Sequence, residues 1–232
     1  MKTACQQVVQ ELGISLSHDT LKRALHAAGY TWKRIRRSLR TLRDEKQFRA
    51  AQKFLRKLRK EAAAQGADFD LIYFDESGFT LTPCVPYGWH APEKTLTLPS
   101  AASARLNVLG FLNLRGDFHS YVTESSVNAE FVIECFDAYC DQLTRPCLIV
   151  LDNASMHRSA AFTDKIKEWE ADGMFLLFLP PYSPELNLIE ILWRKLKYEW
   201  LPLSAYESFQ HLTEKLEDTL KEIGSKYLLS FA

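Results

Sequence analysis

Apolar positions along the chain repeat with helical spacing up to about residue 65 and with strand spacing from residue 68 onward. Val8, Val9 and Leu12 share one face of a short helix beginning near Cys5, and Gly13 ends it. Ser17 can cap a second helix running through Ala28, with Leu21, Leu25 and Ala28 inward and Gly29 as the stop. Residues 41–65 read as one helix, with Leu42, Phe48, Ala51, Phe54, Leu55 and Leu58 on one side. Gln65-Gly66-Ala67-Asp68 breaks that pattern and marks a boundary.

Beyond it, Leu71 to Asp75 reads as a buried strand. Tyr87 to His90 and Leu106 to Leu114 follow as strands, and Arg115-Gly116-Asp117 turns the chain into Phe118 to Val122. A helix is expected over Asn128 to Leu143, a fully buried strand over Cys147 to Leu151 and a helix over Arg158 to Ala171. A strand over Met174 to Leu179 and a helix over Asn187 to Trp200 complete the pattern. Antiparallel strands followed by strand–helix alternation predict an α/β domain of RNase H-like type, a mixed central sheet flanked by helices. A small all-α segment of helix-turn-helix or winged-helix character precedes it. The three parts are residues 1–40 as the helix-turn-helix segment, 41–67 as a helical linker and 68–232 as the α/β domain.

Charge changes this picture only when its distribution is followed. The 232 residues hold 29 basic and 29 acidic side chains, a formal net charge of zero. From Thr31 to Lys60, however, thirteen Lys or Arg face two acids, Asp44 and Glu45, leaving an acidic remainder. A basic segment beside an acidic body is an electrostatic footprint for a polyanion. Lys22 and Arg23 on the second helix, Lys33, Arg34, Arg36, Arg37 and Arg40 after it, and Arg43 are the candidate DNA contacts. The first two helices also fit any small helical hairpin, and a basic helix is equally a solvated face. The five cysteines form no C-x-x-C pair, which argues against a zinc or disulfide framework. No apolar run spans a membrane and the first twenty residues lack a signal-peptide core, so a cytosolic protein with reduced thiols is expected.

Three acids carry the chemistry. Asp75 follows Leu71-Ile72-Tyr73-Phe74, and Asp152 follows Leu148-Ile149-Val150-Leu151; each lies where a buried strand reaches its carboxyl end. Glu190 sits near a helix start behind Pro180-Pro181-Tyr182-Ser183-Pro184. Remote carboxylates gathered this way suit hard Mg²⁺ and phosphodiester chemistry better than sulfur or imidazole sites do. Each also has a plain structural reading. Asp75-Glu76-Ser77-Gly78 is turn-forming, so Asp75 could cap a turn. Asn187-Leu188-Ile189-Glu190 has capping-box spacing, and Glu185 is available as a third acid. Alternation along the strand sends Glu76 to the face opposite Asp75. Asn153, His157 and Asn187 stand beside the acids; His157 could contact DNA, orient a carboxylate or merely be solvated.

The runs LIYFDESGF, LIVLDNASMH and PYSPELNLIE resemble the signatures of DDE transposases of the mariner superfamily, in particular the bacterial insertion-sequence branch. Gly29-Tyr30-Thr31-Trp32-Lys33-Arg34 leading into Ile35-Arg36-Arg37 resembles the basic wing of that family's second DNA-binding subdomain. The resemblance implies Asp75, Asp152 and Glu190 as catalytic residues and metal ligands for two Mg²⁺ ions, with Mn²⁺ able to substitute. It selects Glu190 over Glu185, with Leu188 where the family places proline. It implies double-stranded DNA as partner (transposon ends and target), a homodimer on DNA, and a bacterial, nucleoid-associated setting. Cleavage by water would be followed by attack of the freed 3′-hydroxyl on target DNA. Family members carry a further helix-turn-helix upstream, and this chain begins inside what resembles the second. A structure-selective nuclease on the same fold, or an inactive DNA-binding derivative, are the competing expectations.

Overall fold

Ser17 and Gly29 bracket the first described helix, α1 (His18–Ala27). The Ser17 hydroxyl accepts from the Thr20 N–H at 3.1 Å, satisfying one of the donors a helix start leaves open. At the other end Gly29 takes φ +80°, the Gly29 N–H bonds the His26 carbonyl and the Tyr30 N–H bonds the Leu25 carbonyl. That 5→2 and 6→1 pair is a Schellman motif, which needs a left-handed residue and therefore favours glycine. The computed structural model describes residues 8–11, 13–31, 41–84 and 104–231. Contacts divide it into two units, 1–38 and 39–232. In the first, residues 8–11 are helical and Lys22 and Arg23 are exposed. Leu21 is buried, whereas Leu25 and Ala28, expected on the inner face, are exposed. The expected basic wing with Lys33, Arg34, Arg36, Arg37 and Arg40, and the expected strand over 87–90, lie outside the described residues.

The second unit begins with α2 (Glu45–Ala62). It starts at Asp44, whose carboxylate accepts from the Lys46 and Gln47 N–H groups. Expected from residue 41, the helix thus starts later, because a side chain that caps just past Leu42 wins over a continued apolar stripe. Phe48, Leu55 and Leu58 are buried in the core, while Leu42 and Phe54, expected beside them, are exposed. The segment expected as a linker therefore packs one face into this unit.

Five strands form the sheet: β1 (Asp70–Thr80), β2 (Arg105–Asn113), β3 (Phe118–Thr123), β4 (Cys147–Leu151) and β5 (Met174–Phe178), in the order β3-β2-β1-β4-β5. β1 pairs antiparallel with β2 and parallel with β4, so the sheet changes sense at β1. Period-two alternation along β1 divides the core. Leu71 and Tyr73 face one cluster with α2, α5 (Ile189–Lys195) and α6 (Phe209–Lys221). Ile72 and Phe74 face the other with α3 (Ala129–Cys140) and α4 (Ala160–Ala171), where Phe74, Phe111, Phe136, Phe162 and Trp169 stack edge to face or tilted. The mixed sheet covered on both sides is the RNase H-like architecture the strand order predicts.

Gly110, opposite Asp75 in the register, has a packing role. A Cβ there would come within 2.5 Å of the Phe118 ring and 2.9 Å of Trp193. The bare backbone is what lets the Trp193 indole lie over the sheet beside Asp75. Gly110→Ala is expected to destabilise the protein by about 1–3 kcal/mol, the usual range for overpacking. The check is a lower denaturant midpoint at unchanged slope; a neutral or stabilised variant would mean that the indole is not seated against Gly110.

Candidate active site

Asp75 belongs to the middle of β1 rather than to its end. The strand continues to Thr80 because Glu76 through Thr80 pair with Leu109 through Arg105, which overrides the turn tendency of Asp-Glu-Ser-Gly. The parallel ladder with β4, by contrast, ends at Tyr73↔Val150. β4 stops at Leu151, so Asp152 leaves the sheet just where Asp75 sits on its neighbour. Asn153 donates its side-chain N–H to the Leu179 carbonyl, and the Leu179 N–H bonds the Leu151 carbonyl at 2.8 Å. These bonds fix the exit of β4 against that of β5.

The third acid arrives through a 3-10 turn, Pro184–Leu186, and α5. The capping-box reading of Glu190 does not hold. No side chain caps α5, and Asn187 sends its side-chain N–H to the Phe74 carbonyl at 2.8 Å instead. Its backbone carbonyl accepts from the Glu190 N–H at 3.2 Å, so Asn187 ties the start of α5 to the residue before Asp75. Leu188 has φ −65°, the angle a proline would impose, so its replacement of proline leaves the turn's geometry intact.

Asp75, Asp152 and Glu190 line one cavity of about 340 Å³, together with Asn153, Arg158, Asn187 and the Leu179–Pro184 turn. Tyr182, on that turn, is exposed and has φ +58°. Glu185 does not line the cavity; it pairs with Arg43 at 3.2 Å. Arg43, an expected DNA contact, is buried between Glu45, Glu185 and the Phe48 ring. Its guanidinium is engaged within the fold. A second cavity, about 370 Å³ around Asp70 at the other end of β1, is where Arg115 and Arg145 approach that aspartate.

Electrostatics distinguishes the three acids. Burial, then the charges of Glu76, Glu190 and Asp152, push the Asp75 carboxyl well above the ordinary range, although the Trp193 indole N–H donates to it at 3.0 Å. Burial also raises Glu190, opposed by the nearby Lys197 ammonium, whose own pKa burial lowers. Asp152 is lowered, chiefly by its hydrogen bond from His157 and also by the Ala154 N–H at 2.9 Å. Among the described residues, no three His, Cys, Asp or Glu side chains are drawn close enough to hold one ion at once. Repulsion accounts for such spacing: two carboxylates 4 Å apart oppose each other by roughly 4 kcal/mol at an effective dielectric of 20. The donor set itself suits a hard divalent cation. Three carboxylates and no thiol line the cavity, and the Asn187 side-chain oxygen, also on its wall, is buried without a hydrogen-bond partner.

His157 is fully buried, so its solvated reading is excluded. It sits on the 3-10 turn Met156–Arg158, with Nδ1 3.0 Å from Asp152 Oδ1 and Nε2 2.8 Å from Glu76 Oε1. Glu76 is a residue whose part the sequence reading missed. Alternation put it on the far face from Asp75, but its partner lies 81 residues away and no local pattern joins the two. Trp193 and Lys197 went unnoticed for the same reason.

Comparison with known proteins gives the family and the fold. Residues 70–213 match the DDE superfamily endonuclease family. The chain belongs to that family. Its fold is similar to that of the mariner transposase Mos1. The Mos1 strand transfer complex is 16% identical with a TM-score of 0.56, over 98% of this chain and 73% of that one. The Mos1 mariner paired end complex with Mn is 16% identical with a TM-score of 0.60, over 96% and 68%. An uncharacterised protein of Sinorhizobium fredii is 34% identical over 65 residues, 28% of this chain and 44% of that protein. The chain thus spans less than half the length of this curated relative. No helix among the described residues is long and apolar enough to cross a membrane.

The two carboxylates around His157 give a testable acid–base property. Burial opposes the charged ring, but hydrogen bonds and charge from Asp152 and Glu76 outweigh it and push its pKa from 6.5 up to about 9. A raised folded-state value means that this contribution to stability is complete below about 6.5 and is lost as pH rises through about 9. Nitrogen NMR of the ring should show both nitrogens protonated at neutral pH. A ring neutral at pH 7 would exclude the double carboxylate clamp.

Proposed function

We propose that this chain is a metal-dependent DNA strand-cleaving and strand-transferring enzyme of the transposase type, with residues 68–232 as the catalytic domain. The carrying observation is that Asp75, Asp152 and Glu190, from three separate elements, line one cavity at the sheet position where β1 and β4 part. Family membership supports the reaction class. The Mos1 likeness adds a precedent for the ligands, since complexes of that protein with Mn and with Mg share the fold. Double-stranded DNA, as transposon end and as target, is the proposed substrate, acted on by a homodimer in the bacterial cytosol.

Asp75, Asp152 and Glu190 would hold Mg²⁺ or Mn²⁺, two ions in the full site. Bound there, divalent ions supply Lewis-acid polarisation of a phosphodiester and clamp the attacking and leaving oxygens. The chain's own groups supply position. Asp75 is anchored by its pairing with β2 and by Trp193. Asn187 holds the Glu190 turn to β1, and Asn153 holds the Asp152 turn to β5. Arg158, exposed on the cavity wall, would donate to a backbone phosphate.

DNA binding is assigned to the exposed cations of α1 and α2 and to the basic segment between them. On α2, Lys46, Arg49, Lys53, Arg56, Lys57 and Lys60 are exposed or nearly so. Arg43 and Arg59 are instead engaged within the fold, the latter with the Tyr73 hydroxyl and the Leu186 carbonyl.

Asp75→Asn, Asp152→Asn and Glu190→Gln are each expected to abolish Mg²⁺-dependent cleavage of DNA while the protein stays folded. The amide keeps the shape of the carboxylate and loses the charge that binds the ion. Glu185→Gln should stay active. A dead Glu185 variant beside an active Glu190 one would displace the third ligand.

Changing Lys53, Arg56, Lys57 and Lys60 together to Gln should weaken duplex binding. It should also flatten the dependence of log affinity on log salt by about 0.9 for each phosphate that is no longer neutralised. An unchanged slope would remove α2 from the DNA footprint.

A further inference from the structure

The hydrogen bonds around Asp152 leave its two carboxylate oxygens unequal. Oδ1 accepts twice, from the Ala154 N–H at 2.9 Å and from His157 Nδ1 at 3.0 Å. No bond to Oδ2 is formed among the described residues, and Asp152 lies on the cavity wall. The His157 ring has little freedom. It is buried against Phe74 and Phe162, with centroids at 5.7 and 5.6 Å, and Glu76 Oε1 engages its far nitrogen at 2.8 Å. Glu76 is anchored in turn by the β1–β2 ladder, opposite Leu109.

We propose that Glu76 is a positioning residue which, through His157, occupies Asp152 Oδ1 and so presents Oδ2 as a single-oxygen metal ligand. This rests on the metal-dependent reading of the Asp75, Asp152 and Glu190 cavity. The chemistry follows from which atoms can donate. Both carboxylates accept only, so each ring nitrogen that meets one must carry a proton. Partners of this kind behind a metal ligand fix its orientation, and their loss lowers metal affinity by about 10- to 100-fold.

Strand geometry makes the arrangement specific. Asp75 and Glu76 are consecutive, so alternation sends one to the α5 face and the other to the α3/α4 face. One strand would thereby place a ligand directly and hold a second from behind. Glu76 would not touch DNA or the ion.

The test is Mn²⁺ affinity of the full chain, by calorimetry and by paramagnetic resonance of free ion, alongside Mn²⁺-dependent DNA cleavage. Wild type, Glu76→Ala, Glu76→Gln and Asp152→Asn would be compared. Glu76→Ala should bind Mn²⁺ about 10- to 100-fold more weakly and recover much of its cleavage rate at saturating Mn²⁺. Glu76→Gln keeps an acceptor for the ring N–H and should stay within a few-fold of wild type. Equal Mn²⁺ affinity in wild type and a folded Glu76→Ala protein overturns the proposal. Should the alanine variant not fold, the glutamine variant decides, and a loss there beyond 10-fold overturns orientation as the cause. If wild type binds no Mn²⁺, or Asp152→Asn binds it equally well, the metal reading of the cavity fails instead.

Discussion

Period-two alternation along β1 is the constraint on which the rest depends. A strand paired on both sides cannot rotate a residue to the other face without breaking two ladders, so neighbours in sequence are separated by the full thickness of the sheet. Leu71 and Tyr73 go to the α2/α5/α6 core, Ile72 and Phe74 to the aromatic core under α3 and α4. The same alternation carries on into Asp75 and Glu76, where the β2 ladder alone maintains it. Two acids thus enter two different environments from one strand: Asp75 beside the Trp193 indole, Glu76 against the buried His157 ring.

Electrostatics then decides what each environment can tolerate. On the Glu76 side the acid meets a cation, and His157 is held charged by the carboxylates on either side of it. On the Asp75 side the carboxyl is buried and feels the charges of Glu76, Glu190 and Asp152, opposed by the Glu76 backbone N–H, while the Trp193 indole N–H donates to it at 3.0 Å. Burial first, and like charge after it, hold the Asp75 carboxyl well above the ordinary carboxylate range. Only a proton or a cation in that cavity relieves the like charge. A fold selected for stability alone would have no reason to direct three acids there.

Legibility from sequence followed the range of the interaction. β4 was read with its observed ends, because five consecutive apolar residues bounded by Pro146 and Asp152 leave no alternative partner for either face. α1 was legible through Ser17 and Gly29, whose capping is local. Family signatures singled out three acids, and the fold brings those three to one cavity. β1 was read five residues short, since the pairing that extends it past Asp75 is with β2, some thirty residues on, and overrides local turn chemistry. The capping box at Asn187 was a sound local reading that lost to a contact 113 residues away, the Phe74 carbonyl. The Glu76–His157 bond has no local signature at all. Arg43 looked like its basic neighbours in composition, and only the fold shows that Glu45, Glu185 and Phe48 enclose it.

That last distinction carries over to the whole basic helix. A guanidinium held within the fold by fixed acceptors is poorly placed to reach a phosphate, and swinging it outward would leave those acceptors unpaired. Arg59 bonds the Tyr73 hydroxyl at 2.7 Å and the Leu186 carbonyl at 3.2 Å, joining α2 to β1 and to the turn that leads into Glu190. Arg43 joins the start of α2 to Glu185 on that same turn. Both cations therefore fasten the helix to the acid-bearing turn, while the lysines and arginines on its outer face keep their charge available to solvent. The exposed basic face of α2 and the turn that carries the third acid are thus parts of one packed unit, fastened by two arginines whose own donors are turned inward.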